Sequence, residues 1–173
     1  VYRVSTAASD AQGMGCTLTV LLVSDGIAAM AHVGDSRLYR LRSGEARQLS
    51  KDHTLVADLI RAGAITPAEG VGHSCSHVLT RAIGTHATVD VDTAILDLRQ
   101  GDRYLICSDG LSDALDDEGW FTGTLGGDSP ATVVEQLIKH ANDAGGDDNI
   151  TAVVVEVQQG SRETLPMTQR HPR

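Results

Sequence analysis

Aromatic side chains are scarce in this sequence, 3% with one Trp, one Phe and three Tyr, so Val, Leu, Ile and Ala must fill its core. Basic charge is short as well. Fourteen Lys and Arg face 23 Asp and Glu, giving a formal net charge of -9 and a pI near 5.1. That excludes the basic stripe a nucleic-acid surface needs. The three cysteines, Cys16, Cys75 and Cys107, are odd in number and widely spaced, which excludes a disulfide framework and a zinc motif. Cys16 and Cys107 lie in or beside apolar runs and read as small buried residues. No apolar stretch approaches the roughly 18 residues of a membrane span, and the first residues do not read as a signal peptide. The expected location is therefore the cytoplasm. What remains, 173 residues at 41% hydrophobic with no internal repeat, suits one domain with its own core.

The rest of the chain is organised around Tyr104-Leu105-Ile106-Cys107-Ser108-Asp109-Gly110-Leu111-Ser112-Asp113. The apolar run enters through Gly101-Asp102 and leaves through Ser-Asp-Gly, so it reads as a buried strand that ends at a surface. Gly110 lets the backbone turn away sharply and leaves the Asp109 carboxylate facing outward on a rigid support. Asp35 follows the apolar run 27–33 and Gly34, and Asp148 precedes the apolar run 150–155, so both occupy comparable positions. Carboxylates without Cys or His partners suit hard cations such as Mg²⁺ or Mn²⁺. Any one Asp beside a Gly is first of all a turn residue; the case rests on the set.

The coarse pattern is mixed α and β. A hairpin runs over residues 16–33, and a meander continues through 37–42 and 46–49, with 37–42 read as a partly exposed strand. Residues 54–62 read as a helix capped by Thr54, and Thr66-Pro67-Ala68-Glu69 carries the signature of a second helix start. The Gly- and Ser-rich residues 70–76 read as a mobile flap, and His73 and His77 as solvated flap residues rather than metal ligands. Residues 89–98 read as a strand whose Asp90 and Asp92 form a wet face. Residues 114–123, with Trp120 and Phe121, read as a short helix packed over the sheet. The clearest helix opens at Ser129-Pro130, with Val133, Val134, Leu137, Ile138 and Ala141 on one stripe. One domain is expected over residues 1–157 and a disordered basic tail over 158–173.

Six segments in register resemble one family: Met14-Gly15-Cys16-Thr17-Leu18, Ala31-His32-Val33-Gly34-Asp35-Ser36-Arg37, Lys51-Asp52-His53-Thr54, Leu79-Thr80-Arg81-Ala82-Ile83-Gly84, Cys107-Ser108-Asp109-Gly110-Leu111-Ser112-Asp113 and Asp148-Asn149-Ile150-Thr151. They are similar to the bacterial metal-dependent serine/threonine protein phosphatases of type 2C. The resemblance implies an α+β fold, two antiparallel sheets sandwiched between helices, with two or three Mn²⁺ or Mg²⁺ ions at one end. It implies hydrolysis of phosphoserine and phosphothreonine by an activated water, in proteins phosphorylated by a serine/threonine kinase. Carried over, Asp109 and Asp148 hold the first catalytic ion, and Asp35, Asp109 and Asp113 hold a weaker third one. Arg81 is the basic residue to watch near phosphate, with an ion pair between flap and sheet as its alternative. The family's Asp-Gly-x-Gly-Gly segment and phosphate-gripping Arg have no match here. The chain is therefore expected to be the C-terminal portion of such an enzyme, inactive or weakly active alone, or else a non-catalytic module that binds a phosphoprotein or other partner.

Overall fold

Two antiparallel sheets lie face to face, and the far side of one of them carries the longer helices. The computed structural model describes residues 1–24, 26–115 and 117–158; of the expected tail, residues 159–173 lie outside these. A short helix α1 (Tyr2–Ala7) and a 3-10 turn (Ser9–Ala11) lead into the hairpin β1 (Leu18–Ser24) and β2 (Ile27–Val33). There follow β3 (Arg37–Arg42), β4 (Glu45–Gln48), α2 (Leu55–Arg61), α3 (Pro67–Gly70), β5 (Asp92–Asp97), β6 (Arg103–Cys107), α4 (Asp109–Ser112), α5 (Glu118–Leu125), α6 (Pro130–Asp143) and β7 (Ala152–Glu156). The small sheet has the order β1-β2-β5 and the large one β4-β3-β6-β7. This is the α+β architecture expected, with one addition: among the described residues the small sheet carries no helix on its outer face comparable to α5 and α6.

β6 is buried on both faces because it sits in the middle layer. Leu105 and Cys107 face α5 and α6 and pack with Tyr39, Leu41, Phe121, Leu125, Val133 and Leu137. Tyr104 and Ile106 face the small sheet and pack with Leu21, Met30, Leu38 and Leu96. Each fully buried Leu-sized side chain contributes about 2 kcal/mol, so the strand carrying Asp109 at its end is the best-supported element of the fold. α6 forms as its caps dictate: the Ser129 hydroxyl accepts from Thr132 N at 3.2 Å, Pro130 occupies the first turn, and Val133, Leu137 and Ala141 turn inward. Thr54 and Thr66 cap α2 and α3, the latter through a full capping box with Glu69.

Four expectations change. β3 is buried on both faces, since Leu38 and Leu41 point into different cores. Cys16 is exposed, while Cys107 is buried. The helix expected over 114–123 starts later, at Glu118, capped by the Asp117 carboxylate, and a separate turn of helix forms at α4. On β5 the faces are reversed: Asp92, Ala94 and Leu96 turn inward and Thr93 and Ile95 outward. Asp92 tolerates that side because Arg81 pairs with it at 2.7 Å and His53 lies 3.3 Å away.

A buried carboxylate anchors the opposite end of the sandwich. Asp102 is 1% exposed, yet accepts two hydrogen bonds from Arg42 at 2.7 and 2.6 Å and one from Arg99 N at 2.9 Å. Burial alone would raise its pKa; the Arg42 guanidinium outweighs that and holds it below the usual carboxylate range. A depressed folded-state pKa gives stability that is present above the unfolded value near 4 and is lost as pH falls through the folded one. Asp102→Ala is therefore expected to cost about 3 kcal/mol at neutral pH. In urea melts, the gap to wild type should close as the pH drops below the ordinary carboxylate range.

Candidate metal centre

Strand pairing alone brings three of the carboxylates to one end of the large sheet. Arg37, two residues after Asp35, pairs with Cys107, two residues before Asp109. Cys107 also pairs with Ala152, four residues after Asp148. Asp113 joins them by helical spacing, its N–H donating to the Asp109 carbonyl at 2.9 Å across one turn.

Ser108 fastens the two loops that carry Asp109 and Asp148. Its hydroxyl donates to Asn149 O at 3.0 Å and accepts from Thr151 N at 3.0 Å, while its backbone N–H donates to Thr151 O at 3.1 Å. Gly110 is required by the same closeness, since a Cβ there would stand 2.7 Å from Asn149 O. Gly110→Ala must push the Asp148 loop aside. We expect a stability loss of about 1–3 kcal/mol and, by calorimetry, Mn²⁺ binding weakened more than about tenfold.

The Asp35 turn is held from beneath. Gly34, at φ +112°, faces Thr17, whose Cγ2 would lie 2.3 Å from an added Cβ, so only glycine fits. Gly34 N donates to His53 Nδ1 at 3.1 Å, and His53 N donates to Gly34 O at 2.8 Å. Nδ1 is therefore the acceptor, and the ring proton sits on Nε2, facing Asp92 at 3.3 Å in a contact too poorly aligned for a hydrogen bond. The His32 ring lies tilted against His53, centroids 4.9 Å apart, and meets the Thr19 hydroxyl, which also donates to Ser36 O at 3.0 Å.

Three hollows open around these groups and share Asp109. The first lies toward α2 and the flap and includes Asp35, Arg37, Asp52 and Asp113. The second runs past Asp35 and Ser36 toward Thr17 and Thr80. The third reaches Asp113, Asp147 and Asp148. The carboxylates sense one another across them. Burial raises the pKa of Asp35 and the Asp109 charge raises it further. Burial also raises that of Asp113, with Asp109 again adding and Arg37 opposing. Negative charge is thus concentrated where a dication would neutralise it.

The donor set is oxygen-only, which fits Mg²⁺ or Mn²⁺ and not zinc. Among the described residues no three acidic, histidine or cysteine groups close on a single point. Such ions take one or two carboxylates and complete their shells with water and phosphate oxygens.

Cys107 is no nucleophile: burial pushes its thiol up to about 12. Arg81 does not line the hollows; paired with Asp92, it ties the segment after the flap to β5. Arg37 reaches the first hollow but is held by Asp52 at 2.6 Å. His77, read from the sequence as a solvated flap residue, lines all three hollows, and nothing in its Gly- and Ser-rich surroundings signals that. His73, by contrast, accepts from Cys75 N within its own turn.

The sequence matches the protein phosphatase 2C family over residues 3–153. It is 42% identical over 148 residues to the serine/threonine protein phosphatase PstP of Mycobacterium tuberculosis, covering 86% of this chain and 28% of that protein. It is 38% identical over 153 residues to the protein phosphatase PhpP of Streptococcus pneumoniae, covering 88% of this chain and 62% of that one. The chain thus spans less than two thirds of the length of either relative. A crystal structure of the PstP catalytic domain in complex with two manganese ions superposes with a TM-score of 0.80 at 39% identity, covering 91% of this chain and 64% of that one.

Proposed function

The chain belongs to the protein phosphatase 2C family, and from that premise we propose that the protein carrying it removes phosphate from phosphoserine and phosphothreonine in other proteins. The observation that carries this reading is the convergence of three hollows on Asp109, with Asp35, Asp113 and Asp148 placed around them. Asp109 and Asp148 would hold the first catalytic Mn²⁺ or Mg²⁺, and Asp35, Asp109 and Asp113 a weaker further ion. Bound there, such an ion would supply charge neutralisation for the phosphoryl group and a more acidic water.

The chain's own residues prepare that site. The Ser108 hydroxyl keeps the Asp109 and Asp148 loops in register, and His53 fixes the Asp35 turn. Val56, Ala57 and Ile60 of α2 form an apolar wall beside Asp109 against which residues flanking the phosphorylated side chain can lie. Substrates would be targets of a serine/threonine kinase in the cytoplasm; no described helix is long and apolar enough to cross a membrane.

This sequence contains no Asp-Gly-x-Gly-Gly, the segment whose Asp, by family resemblance, bridges two ions. The 173 residues alone are therefore proposed to have little or no turnover, which keeps a second reading in play: a module that binds a phosphoprotein without hydrolysing it. Both are tested by incubating the full-length protein and the 173-residue chain with a phosphothreonine peptide and Mn²⁺, with and without chelator. Chelator-sensitive phosphate release from the full-length protein supports the enzyme. Calorimetric binding of the peptide with no release from either supports the module.

A further inference from the structure

We propose that Asp92 is a positioning residue for the weaker ion assigned above to Asp35, the assignment on which this inference rests. Its carboxylate keeps the ring proton of His53 on Nε2, so that Nδ1 stays an acceptor and holds the turn that carries Asp35.

That turn has no side chain of its own to fix it. Gly34 is buried at φ +112°, and one residue 19 positions along satisfies both of its backbone groups. Gly34 N donates to His53 Nδ1 at 3.1 Å, and Gly34 O accepts from His53 N at 2.8 Å. His53 thereby sets both peptide planes flanking Gly34, and the second of them contains the N–H of Asp35.

An imidazole can do this in only one of its two neutral tautomers. With the proton on Nδ1, two N–H groups would face each other and the buried Gly34 N–H would lose its acceptor. The surroundings of the other nitrogen decide which tautomer forms. Among the described residues no hydrogen bond reaches Nε2, but the Asp92 carboxylate stands 3.3 Å away, and its negative charge favours the proton at that position.

Asp92 is itself held in place. It lies directly opposite His32 in the ladder between β2 and β5, and so shares the inward face of that buried ring. Arg81 donates to Asp92 Oδ1 at 2.7 Å, leaving Oδ2 for His53. Burial alone would raise the pKa of Asp92; the hydrogen bond from Arg81 outweighs it and keeps the group charged at neutral pH. The His32 ring is engaged elsewhere, with the Thr19 hydroxyl at 2.9 Å and Lys51 O at 3.1 Å, and it walls in the His53 ring from the side. Thr80 N, next to Arg81, donates to His53 O at 2.8 Å. The segment returning from the flap therefore ends on the same histidine that holds the Asp35 turn.

Asp92→Asn isolates the effect. The amide oxygen can keep the Arg81 hydrogen bond, which turns the amide N–H₂ toward Nε2 and draws the ring proton over to Nδ1.

The test uses the full-length protein, with ¹⁵N-histidine NMR in the absence of metal and calorimetry with Mn²⁺. His53 is expected to carry its proton on Nε2 in wild type and on Nδ1 in Asp92→Asn. Affinity for the weaker Mn²⁺ should fall about tenfold in Asp92→Asn and in His53→Gln. It should stay within about twofold of wild type in His53→Asn, whose Oδ1 takes the place of Nδ1. The tighter Mn²⁺ binding should be unchanged in all three. An Asp92→Asn protein that keeps the Nε2 tautomer, binds the weaker ion as wild type does, or loses tighter and weaker binding alike would overturn the role of Asp92. So would His53→Asn binding no better than His53→Gln. In each case the Asp35 assignment stands if Asp35→Asn weakens that ion more than about tenfold. An Asp35→Asn protein that binds it as wild type does would overturn both.

Discussion

Replacing Asp109 by asparagine in the full-length protein is expected to reduce Mn²⁺-dependent phosphate release by more than about a hundredfold. Outer-shell partners of a metal are worth about 10–100-fold, and a residue placed to touch the ion should exceed them. The substitution is nearly isosteric. The Asp109 Oδ1 that accepts from Gly110 N at 2.9 Å has an amide oxygen as its replacement, so the local turn survives. What disappears is the charge. Because that charge raises the pKa of Asp35 and Asp113, its removal relieves repulsion in the ion-free protein. Asp109→Asn should therefore melt no lower than wild type without metal, and should gain less from added Mn²⁺. Activity within tenfold of wild type would remove Asp109 from the site.

The second large effect concerns the outer face of the small sheet. Leu22 of β1 is 62% exposed and Ile95 of β5 is 76% exposed, on either side of a trough floored by Ala29 and Ala31. β1 is also an edge strand, and its Leu-Thr-Val-Leu-Leu-Val-Ser contains no Pro, Lys or Arg to discourage pairing. An apolar face and an open edge on one element favour association. At tens of micromolar, the 173-residue chain is expected to sediment as dimers and larger species. Leu22→Lys with Ile95→Lys should return it to monomer while changing stability by less than about 1 kcal/mol, because neither side chain packs in the interior. A wild-type chain that stays monomeric through that range would show that this face is not sticky.

The sequence made some of this legible and hid the rest for physical reasons. β6 and its terminal Asp109 could be read because a doubly buried strand is continuous in apolar residues and Gly110 marks its end. α6 could be read because Ser129, Pro130 and the Val133, Leu137, Ala141 stripe are all local signals. Asp92 could not: its inward orientation depends on Arg81 and on His53, 39 positions earlier, and no alternation rule registers such partners. β3 was misread as partly exposed because its second cover comes from helices some 80 residues downstream. Cys16 looked buried by composition, yet it lies just before β1, at an exposed margin of the small sheet. His77 could be placed on the flap but not at the hollows, since the segment that follows it is tied to Leu55 and His53 by backbone bonds that no local signal registers.

Those same bonds delimit the flap. Residues 55–77, α2 included, leave the body at Thr54 and return where Val78 and Thr80 are tied to Leu55 and His53, so both ends of the excursion are pinned within a few residues of Thr54. A loop rooted so narrowly is a cassette. Its contents can be lengthened, shortened or exchanged while the sheet ends that lead to Asp35, Asp109 and Asp148 keep their spacing.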